Sequence, residues 1–445
     1  MFRGFAFRTI VVAAGVAATV AVAFAELDGG FDGSPEHPSI GYPTRSTKDP
    51  VGQLNREIQS GMTQLKFEAG TGYLRSVLRA LHIPVESQIL VFSKTSVQAH
   101  LIRPDNPRAL YFNDSVVIGY VHGGFLEAAS VDPQQGVIFY TLDQRPSNYL
   151  EPQTGLPHKL RFMRDDRCLQ CHVSYASYSI PGLLERSVYP GTDGMPVRQL
   201  GDHLPDHRTP LDQRWGGWYV TGKSGSMRHM GNSTVANPDA EDPLPAAFNL
   251  TALTGKFDPG GYLSPLSDIA SLMVFDHQTH MINLLIRTGW EVRYGQYLEK
   301  HPGENRDPSS PNLAARIRSA AEEVADYMLF VDEAPLANPV EGTSKFAEKF
   351  SDLGPGDAQG RSLRELDLKT RLLRYPCSYM IYSEVFDSLP PEAKSAIYAR
   401  LWQILSGREK SPKYARLSLQ DRQAILQILR ETKKGLPNSF NGSVE

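Results

Sequence analysis

Residues 115–142 read SVVIGYVHGGFLEAASVDPQQGVIFYTL and decide the fold class. Three runs in this stretch are rich in the β-branched and aromatic residues typical of strands: 115–121, 126–131 and 136–142. Gly123-Gly124 and the segment 132–136 separate these runs, and both fit tight turns. Because strands joined by such short turns pair antiparallel, the stretch predicts a β-meander.

The same pattern continues upstream of this stretch. Two more strand-like runs extend the predicted meander to residues 88–142: QILVFS at 88–93 and RALYF at 108–112. Two helical patterns precede them: Val51–Leu65 and Tyr73–Leu81. Together these elements predict an α+β domain over residues 26–150.

Downstream of the meander the chain changes character twice. The region 151–265 is predicted to be rich in loops, because residues 174–265 contain many Gly, Pro, Asp and His residues and one strand-like piece, WGGWYVTG. Ordered loops of such length are usually functional. Residues 266–445 are predicted to be mostly helical. The first helix runs from Asp268 to about Lys300, with a possible break at Gly289. Three more are predicted, from Ser310-Pro311 onward, over Pro391–Leu405 and from Ser418 onward. The predicted fold class is therefore α+β, with an antiparallel meander, a central loop-rich region and a mostly α-helical C-terminal part.

The composition is that of an ordinary globular protein. Hydrophobic residues make up 41% and charged residues 21% of a chain of 445 residues. The formal net charge of -3 gives no reason to expect nucleic acid as a partner, because nucleic-acid-binding domains carry an excess of basic residues.

The N-terminus has the pattern of a signal peptide over residues 1–25. Two arginines precede an apolar run from Thr9 to Ala25, which ends in Ala23-Phe24-Ala25, a small-x-small cleavage pattern. We therefore expect export to the periplasm. An uncleaved segment would instead tether the protein to the membrane by one helix.

The segment 164–174, RDDRCLQCHVS, carries the strongest chemical signal. It contains Cys168 and Cys171, two of the three cysteines of the chain, with His172 directly behind them. In Cys-x-x-Cys-His, each sulfur can form a thioether with one vinyl group of a porphyrin, and the histidine can bind the iron as proximal ligand. Through these residues the chain resembles the c-type cytochromes. The resemblance implies one covalently attached haem c, and such attachment is made outside the cytoplasm.

Two other uses of the cysteine pair stay open at this point. A zinc site would need a second ligand pair, and the sequence has no other Cys-x-x-Cys. A thiol–disulfide centre normally opens a helix, whereas the residues behind the motif, VSYASYSIPG, are poor helix formers. The third cysteine, Cys377, is expected to be a small buried apolar residue.

The opposite face of the iron needs its own assignment, because a sixth ligand makes an electron-transfer centre and an open position permits catalysis. His229 and Met230 stand in a glycine-flanked loop that is able to approach a flat ring closely. His277 shares a helical face with two methionines and a leucine, although a histidine on such a face is more often a hydrogen-bonded core residue. These three residues are the candidate sixth ligands or pocket residues.

Arginines around the motif are candidates to bind the haem propionates. A guanidinium group matches a carboxylate with two hydrogen bonds. The three arginines in reach by sequence are Arg161, Arg164 and Arg167. Solvated surface charges would explain each of them equally well.

Two functions follow. The first is an exported monohaem c-type cytochrome that transfers single electrons through a covalently bound haem, with a redox partner protein or a small-molecule redox substrate. The alternative is a haem c enzyme, peroxidase-like or a small-molecule oxidoreductase, with an open sixth iron position and His229 as distal acid–base. The sequence leaves open whether the protein is a haem-dependent oxidoreductase. Membrane contact is expected only if the N-terminal segment is uncleaved.

Overall fold

The computed structural model describes residues 30–146, 148–303 and 311–442. Within these ranges the chain forms an antiparallel sheet of seven strands, two small two-stranded sheets and nine helices, which confirms the predicted α+β class. The predicted signal peptide lies outside the described residues. No helix in these ranges combines the length and the apolar character that a membrane span requires.

The large sheet is built on the predicted meander. Its five central strands are β1 Ile89–Val91, β2 Arg108–Phe112, β3 Val116–Tyr120, β4 Leu126–Asp132 and β5 Gly136–Leu142. Further short strands follow: β6 Met163–Arg164, β7 Ser187–Val188, β8 Asp202–His203, β9 Trp218–Tyr219, β10 Gly222–Lys223 and β11 Glu341–Gly342. Strand β6 pairs with β5 and β9 pairs with β1, so the strand order of the large sheet is β6-β5-β4-β3-β2-β1-β9. Strands β7 and β8 form one small sheet, and β10 and β11 form the other.

The register of the sheet determines which side chains share a face. Ala129 pairs with Phe139 across β4 and β5, and Glu127 pairs with Thr141. Thr141 in turn pairs with Met163 of β6. Because successive side chains of a strand point to opposite faces, these five side chains lie on one face of the sheet.

The helices surround the sheet and form most of the C-terminal part. They are α1 Pro50–Ser60, α2 Leu74–Ala80, α3 Leu169–His172, α4 Ile269–Lys300, α5 Leu313–Met328, α6 Phe346–Asp352, α7 Glu384–Asp387, α8 Pro391–Leu405 and α9 Leu419–Thr432. The long helix α4 packs on the sheet, with the rings of Phe275 and Phe112 5.0 Å apart, and α5 packs on α4 and α8. The main hydrophobic core is one cluster that extends from Phe31 to Phe440.

Three helix boundaries differ from the sequence-based expectation. Helix α1 ends early, because Gly61 takes a left-handed conformation with φ 78° and stops it. Helix α4 is one continuous helix and does not break at Gly289. Asn312, not Ser310, caps α5 by accepting a hydrogen bond from the N–H of Ala315, and Ser310 lies outside the described residues.

Candidate functional site

The cysteine motif lies at the β6 edge of the large sheet. The N–H of Asp165, directly after β6, bonds to the carbonyl of Phe139 in β5 at 2.9 Å. The Asp165 carboxylate accepts a hydrogen bond from the N–H of Arg167 at 3.1 Å and starts a 3₁₀ turn over Asp166–Cys168. Helix α3 follows and ends at His172. One compact turn therefore holds both cysteines and the histidine.

His172 is fixed by a reciprocal pair of hydrogen bonds with Gly182. The imidazole Nδ1 lies 2.8 Å from the carbonyl oxygen of Gly182, and the N–H of Gly182 donates to the carbonyl of His172 at 3.1 Å. A carbonyl only accepts hydrogen bonds, so the ring proton is on Nδ1 and the lone pair is on Nε2. Nε2 has no hydrogen-bond partner among the described residues. This is the state that a metal-binding histidine needs.

The surroundings of His172 favour its neutral form. Burial lowers the pKa of His172. The hydrogen bond with the Gly182 carbonyl acts against burial, and the charges of Arg108 and Glu127 have smaller effects of opposite sign. The ring of Phe139 packs on the imidazole with centroids 4.5 Å apart. A neutral, sterically restrained imidazole results.

The two thiols of the motif have different environments. Cys168 is half-buried against the main core, and burial raises its pKa to about 12, with the charges of Asp165 and Glu127 acting in the same direction. Thiol–disulfide exchange centres have lowered pKa values, so this environment does not suit that chemistry. Cys171 is exposed, Cys377 is fully buried, and all three cysteines are free thiols.

The alternative of a zinc site calls for further ligands beside the cysteine pair. In the part of the chain that is described, no group of three or more His, Cys, Asp or Glu side chains is arranged to hold a metal ion. Structural zinc normally needs four such ligands.

Two exposed side chains with large apolar parts flank the motif in the chain. Met163, five residues before Cys168, is 47% exposed, and Tyr175, three residues after His172, is 70% exposed. Clustered exposed apolar residues commonly mark a binding surface. A flat apolar group attached to the cysteines would cover such side chains.

Two of the predicted propionate-binding arginines are already bound to protein groups. Arg167 forms a two-pronged ion pair with Asp165, at 2.9 and 2.6 Å. Arg164 donates to the carbonyl of Tyr42 at 3.0 Å and stacks over the Tyr42 ring at 4.5 Å. The third, Arg161, is exposed.

Arg108, which sequence reasoning missed, is a better-placed cation. It donates through Nη1 to Glu127 at 2.7 Å, and its charge acts on His172. Its Nε is buried and has no hydrogen-bond partner within the described part of the chain. An unpaired buried donor is a feature that a bound anion would satisfy.

His229 and Met230 are both buried and already in contact with protein atoms. The N–H of Gly231 donates to Nδ1 of His229 at 3.1 Å, so a neutral His229 carries its proton on Nε2 and has no lone pair there. Burial lowers the pKa of His229 to about 4. The sulfur of Met230 accepts a hydrogen bond from Ser187 at 3.4 Å inside a small hydrophobic cluster.

His277 is a hydrogen-bonded core histidine. Its Nε2 lies 2.7 Å from the Ser378 hydroxyl and its Nδ1 lies 2.8 Å from Nδ1 of His207. The imidazole stacks on Tyr327 and Phe330 with centroids 5.2 and 4.5 Å away. Burial lowers its pKa to about 3. Both nitrogens are engaged, so the structure gives no free position for iron at His277.

The structure thus brings Cys168, Cys171 and His172 together and leaves the three candidates for the sixth position in other contacts. Gly182 and Phe139 carry no motif that would have identified them as partners of His172. Comparison of the chain with protein-family models, with curated proteins and with solved structures finds no match. A proposal about function therefore depends on the chemistry of these side chains alone.

Proposed function

We propose that the protein is an exported c-type cytochrome that carries one covalently bound haem and transfers single electrons. The observation that carries the proposal is the hydrogen-bond pair between His172 and Gly182. This pair keeps the proton of the His172 ring on Nδ1 and the lone pair on Nε2. His172 lies four residues after the first cysteine of the motif. Histidines that bind metals almost always donate their other ring N–H in this way.

The roles of the chain's residues follow from their environments. Cys168 and Cys171 would hold the porphyrin through thioethers, and His172 would bind the iron from one side. When bound, such a haem supplies an iron that takes up and releases one electron at a time. Phe139 restricts rotation of the His172 ring, and Arg108 offers its unpaired Nε to an acidic substituent.

Exposure suggests how electrons would enter and leave. Cys171 and Tyr175 are exposed, whereas Cys168 packs on the core, so one edge of an attached ring would stay near solvent. A redox partner protein or a small-molecule redox substrate would exchange electrons at this edge. Since the formal net charge is only -3, we do not expect nucleic acid as partner.

Catalysis is the less favoured function. The enzymatic alternative requires His229 to act as acid–base, and a general acid–base works best with a pKa near neutral pH. Burial holds the pKa of His229 at about 4, and its buried Nδ1 already accepts a hydrogen bond. We therefore propose electron transfer ahead of a peroxidase-like or oxidoreductase activity.

The test is haem attachment in protein made with the cytochrome c maturation machinery. We expect one haem per chain that resists acid-acetone extraction. The double variant Cys168→Ala/Cys171→Ala should lose all covalent haem. Each single variant should keep one thioether and shift the pyridine haemochrome band. The matched control Cys377→Ala should keep both thioethers. Extractable haem, or no haem, in the wild-type protein would refute the proposal.

A further inference from the structure

An open cavity of about 420 Å³ lies between α9 and the segment 361–375, in the C-terminal helical part of the chain. Helix α9 contributes three glutamines at spacings of three and four, which places them on one face: Gln420, Gln423 and Gln427. Three arginines and two aspartates also line the cavity: Arg361, Arg371, Arg374, Asp367 and Asp421. Cavities of this volume are typical of small-molecule sites, and none of these residues belongs to the proposed haem site.

Hydrogen bonds fix the two walls of the cavity relative to each other. Arg371 donates through both Nη atoms to the Asp421 carboxylate of α9, at 2.9 and 3.3 Å. Asp421 also forms the capping box of α9 with Ser418. Within the segment, the N–H of Arg374 donates to the carbonyl of Glu365 at 2.8 Å and closes a turn. The cavity is therefore preformed, which reduces the entropic cost of binding a ligand.

Arg374 carries the least neutralised charge in the cavity. Its Nε lies 3.6 Å from a carboxylate oxygen of Glu365, and its side chain is 60% exposed. Neither of its Nη atoms has a hydrogen-bond partner in the ranges that the structure describes. Arg361, by contrast, contacts Asp357 closely through Nε and Nη2, at 2.7 and 2.6 Å. Because a guanidinium group binds a carboxylate or a phosphate through two hydrogen bonds, Arg374 favours an anionic ligand.

The remaining polar groups of the cavity suit hydroxyl groups. Gln420 and Gln423 are exposed, and within the described part of the chain their side chains form no hydrogen bond. A glutamine amide has two N–H donors and one oxygen acceptor, which match the donor and the acceptor of a hydroxyl. Tyr375 is half-buried and also lines the cavity. Its ring offers an apolar surface for the C–H groups of a ligand.

We propose that this cavity binds an acidic sugar, a polyhydroxylated ring that carries a carboxylate or a phosphate group. The anionic group would accept hydrogen bonds from the Nη atoms of Arg374. The hydroxyls would bond to the amides of Gln420 and Gln423, and the C–H groups of the sugar ring would pack on Tyr375. The inference is independent of the haem proposal, because it uses none of the residues around the cysteine motif.

The test is isothermal titration calorimetry of the full-length protein with three probes: glucuronic acid, glucose 6-phosphate and glucose. We expect at least one of the two acids to bind about tenfold or more tightly than glucose, which lacks the charge-assisted pair with Arg374. The comparison of the two acids shows whether the site prefers a carboxylate or a phosphate. Equal binding of all three probes, or no binding of either acid, would overturn the inference.

Variants tie the binding to this cavity. Arg374→Gln should weaken binding of the preferred acid by about tenfold, and Gln423→Ala should weaken it by a smaller factor. The matched control is Arg79→Gln, because Arg79 is an exposed arginine on α2, outside the cavity, and its loss should leave binding unchanged. Thermal unfolding checks that each variant is folded. An effect of Arg374→Gln no larger than that of Arg79→Gln would contradict the proposal, whereas the covalent haem assay decides the proposed function separately.

Discussion

The position of His172 depends on the absence of a side chain at Gly182. A Cβ at this residue would lie 2.6 Å from Oδ1 of Asn283 and 3.1 Å from Cβ of Ser177. Asn283 cannot move away cheaply, since its amide already bonds to both backbone groups of Leu183 at 2.8 Å. Any larger residue must therefore displace the carbonyl that orients the imidazole.

Gly182→Ala should consequently affect both stability and the proposed haem site. We expect a loss of roughly 1–3 kcal/mol in the free energy of unfolding, as for other overpacked positions. The midpoint potential should shift as the His172 ring loses its fixed orientation, which a redox titration measures. Gly303→Ala is the control, because a methyl group added at Gly303 would meet no atom of the described residues within 4 Å, its chain neighbours aside. Equal potentials in both variants would contradict the role given to Gly182.

At this scale the sequence identifies the part of the proposed site that is local in the chain. Cys168, Cys171 and His172 stand out because the proposed haem attachment requires a fixed spacing of neighbours. Gly182 and Phe139 are not found, because a turn glycine and a strand phenylalanine occur in any fold and only tertiary contact gives them a role. The sixth-ligand candidates rest on residue type, which says nothing about tautomer or burial.

Among the elements, helix α4 combines scaffold and site. It is buried along most of its length, and polar side chains such as Asp276, His277 and Asn283 are buried with the apolar ones. A sequence pattern of apolar spacing predicts the helix but not these polar contacts. Asn283 is the one next to the motif, because it holds the backbone of Leu183, which follows Gly182.

Asn283→Leu should destabilise the fold by roughly 2–4 kcal/mol, because it leaves a buried N–H and a buried carbonyl of Leu183 without partners. Chemical denaturation measures this free energy. Thr279→Val on the same helix is the matched control: the Thr279 hydroxyl is buried and has no hydrogen-bond partner among the residues described, so its removal should cost little. Similar losses for both variants would show that any polar deletion in α4 is damaging.

The strands show where prediction from sequence ends. The five runs between residues 88 and 142 become β1 to β5, since each is long enough to show strand composition and turn residues separate most of them. Strand β6 is only two residues long and has no such pattern. It exists because β5 offers an unpaired edge, and a contact of this kind cannot be inferred from two residues.

In the whole molecule, the described residues before α1 contribute to the core. Phe31 is 4% exposed, and its ring forms T-shaped pairs with Trp290 and Tyr294, with ring centroids 5.2 and 5.5 Å apart. Its N–H donates to the carbonyl of Tyr178, which follows the motif, at 2.8 Å. The sequence predicts no helix or strand there, because its Gly and Pro residues are typical of loops. Contacts between residues more than a hundred positions apart produce no repeating pattern in the sequence.

Phe31→Ala should therefore lower the free energy of unfolding by about 3–5 kcal/mol, as expected for a buried aromatic residue. Phe67→Ala, at a ring that is 38% exposed, should cost less than about 2 kcal/mol. Thermal and chemical denaturation of the two variants give the comparison. If Phe31→Ala proves as mild as Phe67→Ala, the N-terminal segment contributes little to the fold.

The shortness of β6 has a consequence for maturation of the proposed cytochrome. An open strand edge recruits other chains, and here β6 and the N–H of Asp165, where the turn starts, occupy the edge of β5. The same turn carries the attachment cysteines. A molecule that fails to complete this turn would expose a template for aggregation, so faulty maturation and self-association would arise from one and the same defect.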